Sequence, residues 1–354
     1  MKLGIIGLPA SGKATVFEAL TREITQSGDK SEDRLGTIDV PDTRIDELSR
    51  MYQPRKTIYA QVQYFLPGKG GPKKEGGKSD AAKGDSGGKD LAWTAVRDAD
   101  ALIHVLRNFR MFGMDAPQPA VDFEKLDQEL ILSDLAVVEK RLERMSAEAK
   151  KGKAPDADER ALLEKCRSLL EAETPLRTDP EVARAPQLKG YAFLSAKPVL
   201  VLFNNTDEDT EIPGLQGRLA DESCLVIRGK LEHELAQMSP AEAAELLEEF
   251  GIADSATDRV LQKSYEVLGL ISFFTVGEDE VRAWTIPRGT PAVEAAGVIH
   301  TDIQKGFIRA ETISYEDLMA AGSMAAAKKN ATLRLEGKTY EVKDGDIINF
   351  RFNV

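Results

Sequence analysis

The sequence predicts an α/β fold, interrupted by a helical insertion and followed by a smaller α+β domain. Three observations predict it. A short apolar run at residues 3–6 leads through the glycine-bearing loop Gly7-Leu8-Pro9-Ala10-Ser11-Gly12-Lys13-Ala14-Thr15 into a helical pattern carried by Val16, Phe17, Ala19 and Leu20. Residues 198–203, Pro-Val-Leu-Val-Leu-Phe, form the unbroken apolar run of a strand buried on both faces of a parallel sheet. From about residue 271 the apolar period changes to alternation. The 354 residues suffice for two or three domains.

In chain order, strands are expected at residues 3–6, 58–65 and 101–106. Residues 69–89, with seven glycines and six lysines against three acids, have little to bury and read as a mobile loop. Ile131, Leu135, Val138, Leu142 and Met145 recur at helical steps, and Leu162, Cys166 and Leu169 repeat the pattern after a Lys-Gly-Lys-Ala-Pro turn. Two amphipathic helices in an antiparallel hairpin follow, with solvated charges outside. Strands at 198–203 and 225–227 and helices at 240–250 and 258–268 resume the α/β domain. Alternation at 273–276, 281–286, 332–335, 340–342 and 347–352 predicts a small mixed sheet, with turns at Glu336-Gly337-Lys338 and Lys343-Asp344-Gly345-Asp346. The expected domains are therefore 1–118 with 196–270, the insertion 119–195, and 271–354.

Composition narrows the function. Net charge is −12, so the overall field does not favour nucleic acid, and any RNA contact must come from a local patch. Two cysteines, Cys166 and Cys224, make no disulfide framework. No apolar run is long enough to span a bilayer. A cytoplasmic protein with no membrane or DNA partner is expected.

Strand, glycine loop and helix form the context of a phosphate-binding loop. Gly7 and Gly12-Lys13 have its spacing. Backbone N–H groups of Gly7, Ala10, Ser11, Gly12, Lys13, Ala14 and Thr15 are expected to cradle phosphates, with Lys13 as a point charge. The residue after the lysine should carry a hydroxyl for Mg²⁺, and here it is Ala14. Thr15 stands one position, roughly 100° of helix, further on. A second magnesium anchor, the aspartate of an Asp-x-x-Gly stretch, falls on Phe65-Leu66-Pro67-Gly68. On the base side, Asn204-Asn205-Thr206-Asp207 has the Asn-x-x-Asp spacing of guanine readers, with Asn205 in place of the usual lysine. Arg228-Gly229-Lys230 is the expected opposite wall. His104, inside an apolar strand, reads as a core residue with satisfied hydrogen bonds rather than a base. Asp39, Asp42 and Asp46 read as turn and cap residues, with substitute metal ligation as the alternative.

At these residues the chain resembles the YchF-type ATPase/GTPases, P-loop proteins of the Obg-related branch. Gly-Leu-Pro-x-x-Gly-Lys precedes Phe17-Glu18-Ala19-Leu20-Thr21, and Val40-Pro41-Asp42-Thr43-Arg44 follows in register. Glu280-Val281-Arg282-Ala283-Trp284-Thr285, Lys305-Gly306-Phe307-Ile308-Arg309-Ala310-Glu311 and Asn349-Phe350-Arg351-Phe352-Asn353-Val354 carry the likeness to the end. The resemblance implies a P-loop NTPase G domain, a helical coiled-coil insertion and a C-terminal TGS domain of the ubiquitin-like β-grasp type. It implies ATP or GTP as ligand, base choice tied to Asn-x-x-Glu, and ribosome or RNA association through the TGS or helical surface. The family's Gly-Lys-Ser-Thr and Asp-x-Ala-Gly are changed at Ala14 and Phe65, which puts Mg²⁺ in doubt. Its catalytic histidine has no counterpart in residues 110–119. The expectation is a nucleotide binder with weak or absent hydrolysis. The alternative is a slow ATPase or GTPase using substitute metal ligands; a P-loop kinase is disfavoured.

Overall fold

A computed structural model of the chain describes residues 1–23, 32–68, 93–152, 154, 156–249 and 255–353. The expected mobile loop at 69–89 lies outside the described residues. The chain divides into two compact units, Met1–Thr37 with Gln63–Val260 and Ile38–Val62 with Leu261–Val354. The mixed α/β architecture with a long helical insertion is as the sequence predicts.

The first unit is built on a six-stranded sheet. β1 (Lys2–Ile6) lies parallel between β4 (Gln61–Leu66) and β5 (Ala101–Arg107). β5 continues in parallel to β6 (Val199–Asn204), and β6 to β7 (Ser223–Ile227). β2 (Arg34–Asp39) closes the edge beside β4. Every residue of β5 and β6 is buried, which is why those runs lack alternation. Parallel strands end along one edge, so the loops after β1, β4, β5, β6 and β7 meet there. That edge is where open α/β sheets bind ligands.

The insertion is α3 (Pro119–Lys150) and α4 (Ala157–Glu171). The first turns of α3 bury Phe123, Leu126 and Leu130 against the sheet, and the rest packs Val138, Leu142 and Met145 against Leu163, Cys166 and Leu170 of α4. The buried stripe differs by one residue from the expected one. Leu163 and Leu170 are buried where Leu162 and Leu169 were expected, and Asp134, not Leu135, takes the inward position. Asp134 is fully buried because it accepts hydrogen bonds from the Leu194 and Ser195 N–H groups (3.0 and 2.7 Å), the Ser195 hydroxyl (2.8 Å) and Arg97 Nη1 (3.2 Å). It ties the insertion to the segment entering β6.

The second unit holds the other sheet, ordered β11-β10-β12-β8-β9-β3. Its strands are β3 (Lys56–Ile58), β8 (Leu270–Val276), β9 (Glu280–Pro287), β10 (Phe307–Ser314), β11 (Arg334–Glu336) and β12 (Asp346–Phe352). The expected strand at 58–65 is two strands in two sheets, β3 pairing with β9 and β4 with β1. Helix α2 (Thr43–Tyr52) buries Ile45 and Leu48 among Phe274, Val281, Ile313 and Ile347. β10 escapes the alternation test because its register shifts between Phe307 and Arg309. Residues 340–342 make only an isolated bridge, Pro291 to Glu341, so no hairpin forms at Gly337.

Candidate nucleotide site

The loop between β1 and α1 (Lys13–Thr21) sits at the carboxyl edge of the first sheet. Gly7 and Gly12 are required by space. A Cβ on Gly7 would stand 2.6 Å from the Val105 carbonyl oxygen, and one on Gly12 would overlap the Asn204 side-chain amide. Gly12 also has φ 86°, a left-handed conformation that only glycine adopts without strain. Gly12 caps α1 with no side-chain hydrogen bond, and no acid stands in the first turn, so the positive end of the helix faces the loop unneutralised. Lys13 Nζ donates to the Gly7 and Leu8 carbonyl oxygens (3.0 and 3.3 Å), folding its charge over the loop. Ser11 is 2% exposed, and its hydroxyl has no hydrogen-bond partner among the described residues. A buried orphan hydroxyl beside the N-terminus of α1 fits an anionic group such as a phosphate.

Asn204 links this loop to the base side. Its Nδ2 donates to the Ser11 carbonyl (3.1 Å), and its Oδ1 accepts from the Gly229 N–H (3.0 Å). Gly229 has no room for a side chain, since a Cβ would lie 2.7 Å from Asn204 Oδ1. Asn205 is buried too, accepting from Asn108 Nδ2 (2.9 Å) and donating to the Glu211 carbonyl (2.9 Å). Asp207 turns its Oδ1 to the Leu231 N–H (3.2 Å), in the first turn of α5 (Gly229–Leu235), and its Oδ2 lies 3.6 Å from Lys230 Nζ. A cleft of about 370 Å³ brings together Gly12, Thr15, Asn204, Asn205, Thr206, Asp207 and Lys230. Its size suits a small ligand. The phosphate-side and base-side residues, 193 positions apart at Ser11 and Asn204, are thus joined by one asparagine.

The cleft has a wall that sequence reasoning missed. Phe109 and Arg110 line it, and Glu208 completes the rim. Arg107 holds that loop by donating to the Phe109 and Asp115 carbonyl oxygens (3.3 and 3.0 Å). The only sequence signal was position, directly after a fully buried strand.

The two positions expected to anchor a divalent cation carry no oxygen ligand. Ala14 has no hydroxyl, and Phe65 has a ring where an acid is needed, lying 4.1 Å from Lys2 Nζ in a cation–π contact. Among the described residues no group of three His, Cys, Asp or Glu side chains is arranged to hold a metal ion. Asp42 caps α2 at the Arg44 N–H (3.0 Å), Asp39 accepts from Gln61 Nε2 (2.9 Å), and Asp46 accepts from the Tyr59 hydroxyl. All three are so engaged within the second unit. His104 is buried as expected but is not satisfied, because its Nε2 has no partner among the described residues. It stacks on Phe123 at 5.4 Å, and burial pushes its pKa down to about 3, helped by the positive charges of Arg177 and Lys13. It is neutral and is no base.

Known proteins match this chain over its whole length. A family model, YchF-GTPase_C, described as a protein of unknown function (DUF933), matches residues 270–353. "Ribosome-binding ATPase YchF" of Bacillus subtilis is 37% identical over 99% of both chains. The chain belongs to the YchF family. The protein of the same name from Escherichia coli O157:H7 is 35% identical over 100% of this chain and 99% of its own. Among solved structures, the YchF GTPase of Schizosaccharomyces pombe superposes with a TM-score of 0.77 at 27% identity, covering 99% of this chain and 97% of its own. A GTP-binding protein from Pyrococcus horikoshii shares the fold, with a TM-score of 0.60 at 17% identity.

Proposed function

We propose that this chain is a nucleotide-binding, ribosome-associated P-loop protein of the YchF family whose magnesium anchors and hydrolytic elements are weakened, so that turnover is slow or absent. The observation that carries the reading is the loop itself. Gly7 and Gly12 leave no room for side chains, Ser11 Oγ is buried without a partner, and Lys13 covers the turn, while Asn204 fastens all of this to the base-side cleft. The cradle is intact where phosphate is bound, and Ala14 and Phe65 remove oxygen only where metal is bound. Without a metal, charge building on a transferring phosphoryl group is poorly neutralised.

ATP or GTP is the expected ligand. Asp207 spends one oxygen on α5, which leaves a single carboxylate oxygen and Lys230 to meet the base edge. Ribosome association rests on relatives bearing that name at 35–37% identity across the full chain. We assign the contact to the C-terminal TGS-like sheet and the helical insertion, working in the cytoplasm.

The test is phosphate release from ATP and GTP by the full chain, alongside ribosome co-sedimentation. Binding of either nucleotide with little release supports the reading. Rapid magnesium-dependent release that disappears in Lys13→Ala establishes instead a working NTPase with substitute ligands, the reading that the relatives' name favours. Absence of nucleotide binding overturns both.

A further inference from the structure

The carboxylate of Asp33 accepts a hydrogen bond from the Gly68 backbone N–H at 2.8 Å. The sheet register gives this contact its meaning. β4 runs parallel to β1 with Phe65 opposite Gly4. Gly68 and Gly7 each follow three residues later, so both leave the sheet at the same carboxyl edge. The Gly7–Lys13 loop and the N-terminus of α1 serve the phosphates nearer the nucleoside. A phosphate chain that continued past that loop along this edge would meet the end of the neighbouring strand, where Gly68 offers a backbone N–H. In this chain that donor is already held by an anion.

We infer that Asp33 sets the length of phosphate chain this site accepts, favouring nucleoside diphosphates over triphosphates. The inference rests on the nucleotide-binding reading above and names its ligand class. A third phosphate has two options at Gly68. It displaces the carboxylate and leaves Asp33 beside it as a like charge, or it forgoes the hydrogen bond. Both weaken triphosphate binding and leave the diphosphate contacts untouched. Arg34, next in sequence, is committed to Glu18 at 2.9 Å, and Ala14 and Phe65 supply no oxygen to hold a cation between the two anions. Asp33 is exposed and Gly68 half-buried, so Asp33 is open to substitution without touching the core.

Calorimetric titration of the full chain with ADP, ATP, GDP and GTP tests this, comparing wild type with Asp33→Ala and Asp33→Asn. Wild type should bind the diphosphate about tenfold more tightly than the matching triphosphate, the scale of one hydrogen bond to a charged group. In Asp33→Ala the ratio should fall toward one through tighter triphosphate binding, with diphosphate affinity unchanged. Asp33→Asn, which keeps an acceptor and loses the charge, should fall between. Triphosphate binding as tight as diphosphate in wild type overturns the inference while leaving the nucleotide-binding reading standing. So does an unchanged ratio in both variants. Failure of all four nucleotides to bind overturns the nucleotide reading and this inference with it.

Discussion

Replacing His104 by leucine should make the protein less sensitive to acid. His104 is 2% exposed in the middle of β5, with an Nε2 unpartnered among the described residues and a pKa pushed down to about 3 by burial. In the unfolded chain the same imidazole takes up a proton near pH 6.5. Between those two values the unfolded state holds the extra proton, so this residue's contribution to stability rises with pH and is lost on acidification from about pH 6.5 downward. Each pH unit in that window is worth about 1.4 kcal/mol, so lowering the pH to about 5 should remove roughly 2 kcal/mol. Leucine of similar volume can fill the space beside Phe123 and carries no proton. It also removes a buried nitrogen without a partner, worth about 1 kcal/mol at neutral pH. Urea unfolding of both proteins at about pH 7.5 and about pH 5 is the assay. Wild type should lose about 2 kcal/mol more than His104→Leu between the two conditions. An equal loss in both proteins would refute the reasoning, because it would mean that His104 keeps access to protons in the folded chain.

Asp134→Ala should destabilise by about 3–5 kcal/mol in urea unfolding, since it strands two backbone N–H groups, a hydroxyl and Arg97 in a closed interior; a loss below about 1 kcal/mol would contradict that role. Gly12→Ala should weaken nucleotide binding at least tenfold in a direct titration, because a Cβ there displaces the Asn204 amide that joins the two halves of the cleft. A fragment of residues 270–354 should show no cooperative thermal unfolding by circular dichroism. It lacks α2, whose Ile45 and Leu48 are fully buried and worth about 1.5–3 kcal/mol each. A sharp melt of that fragment would contradict the second unit's composition.

Much of the first sheet was legible because burial on both faces leaves an apolar run with nothing to mimic it, as in β5 and β6. The phosphate loop was legible because two glycines and a lysine at fixed spacing answer a geometric need visible at Gly7 and Gly12. The division of residues 58–65 between two sheets was not. Tyr59 and Ala60 interrupt no apolar pattern, and only the separate partners of β3 and β4 reveal the break. Asp134 was hidden for a related reason. A carboxylate on a helix reads as solvated until the four donors that meet it, three of them about sixty residues away, are brought together by the fold. Phe109 and Arg110 were hidden because a loop after a strand carries no period, and their place beside Asn204 exists only once β5 and β6 are paired. The hydrogen bonds of Asn204 itself show why its position matters more than its motif. The side chain is consumed in holding the Ser11 carbonyl and the Gly229 N–H, and so acts on the ligand through the loops it fixes.

The central claim is that the phosphate cradle works without an anchored cation. Nucleotide affinity measured on the full chain with magnesium present, and again with the metal chelated, tests it most directly. The account predicts affinities within about threefold of each other, because Ala14 and Phe65 give a cation no protein oxygen to bridge from. A loss of about tenfold or more on chelation would contradict it.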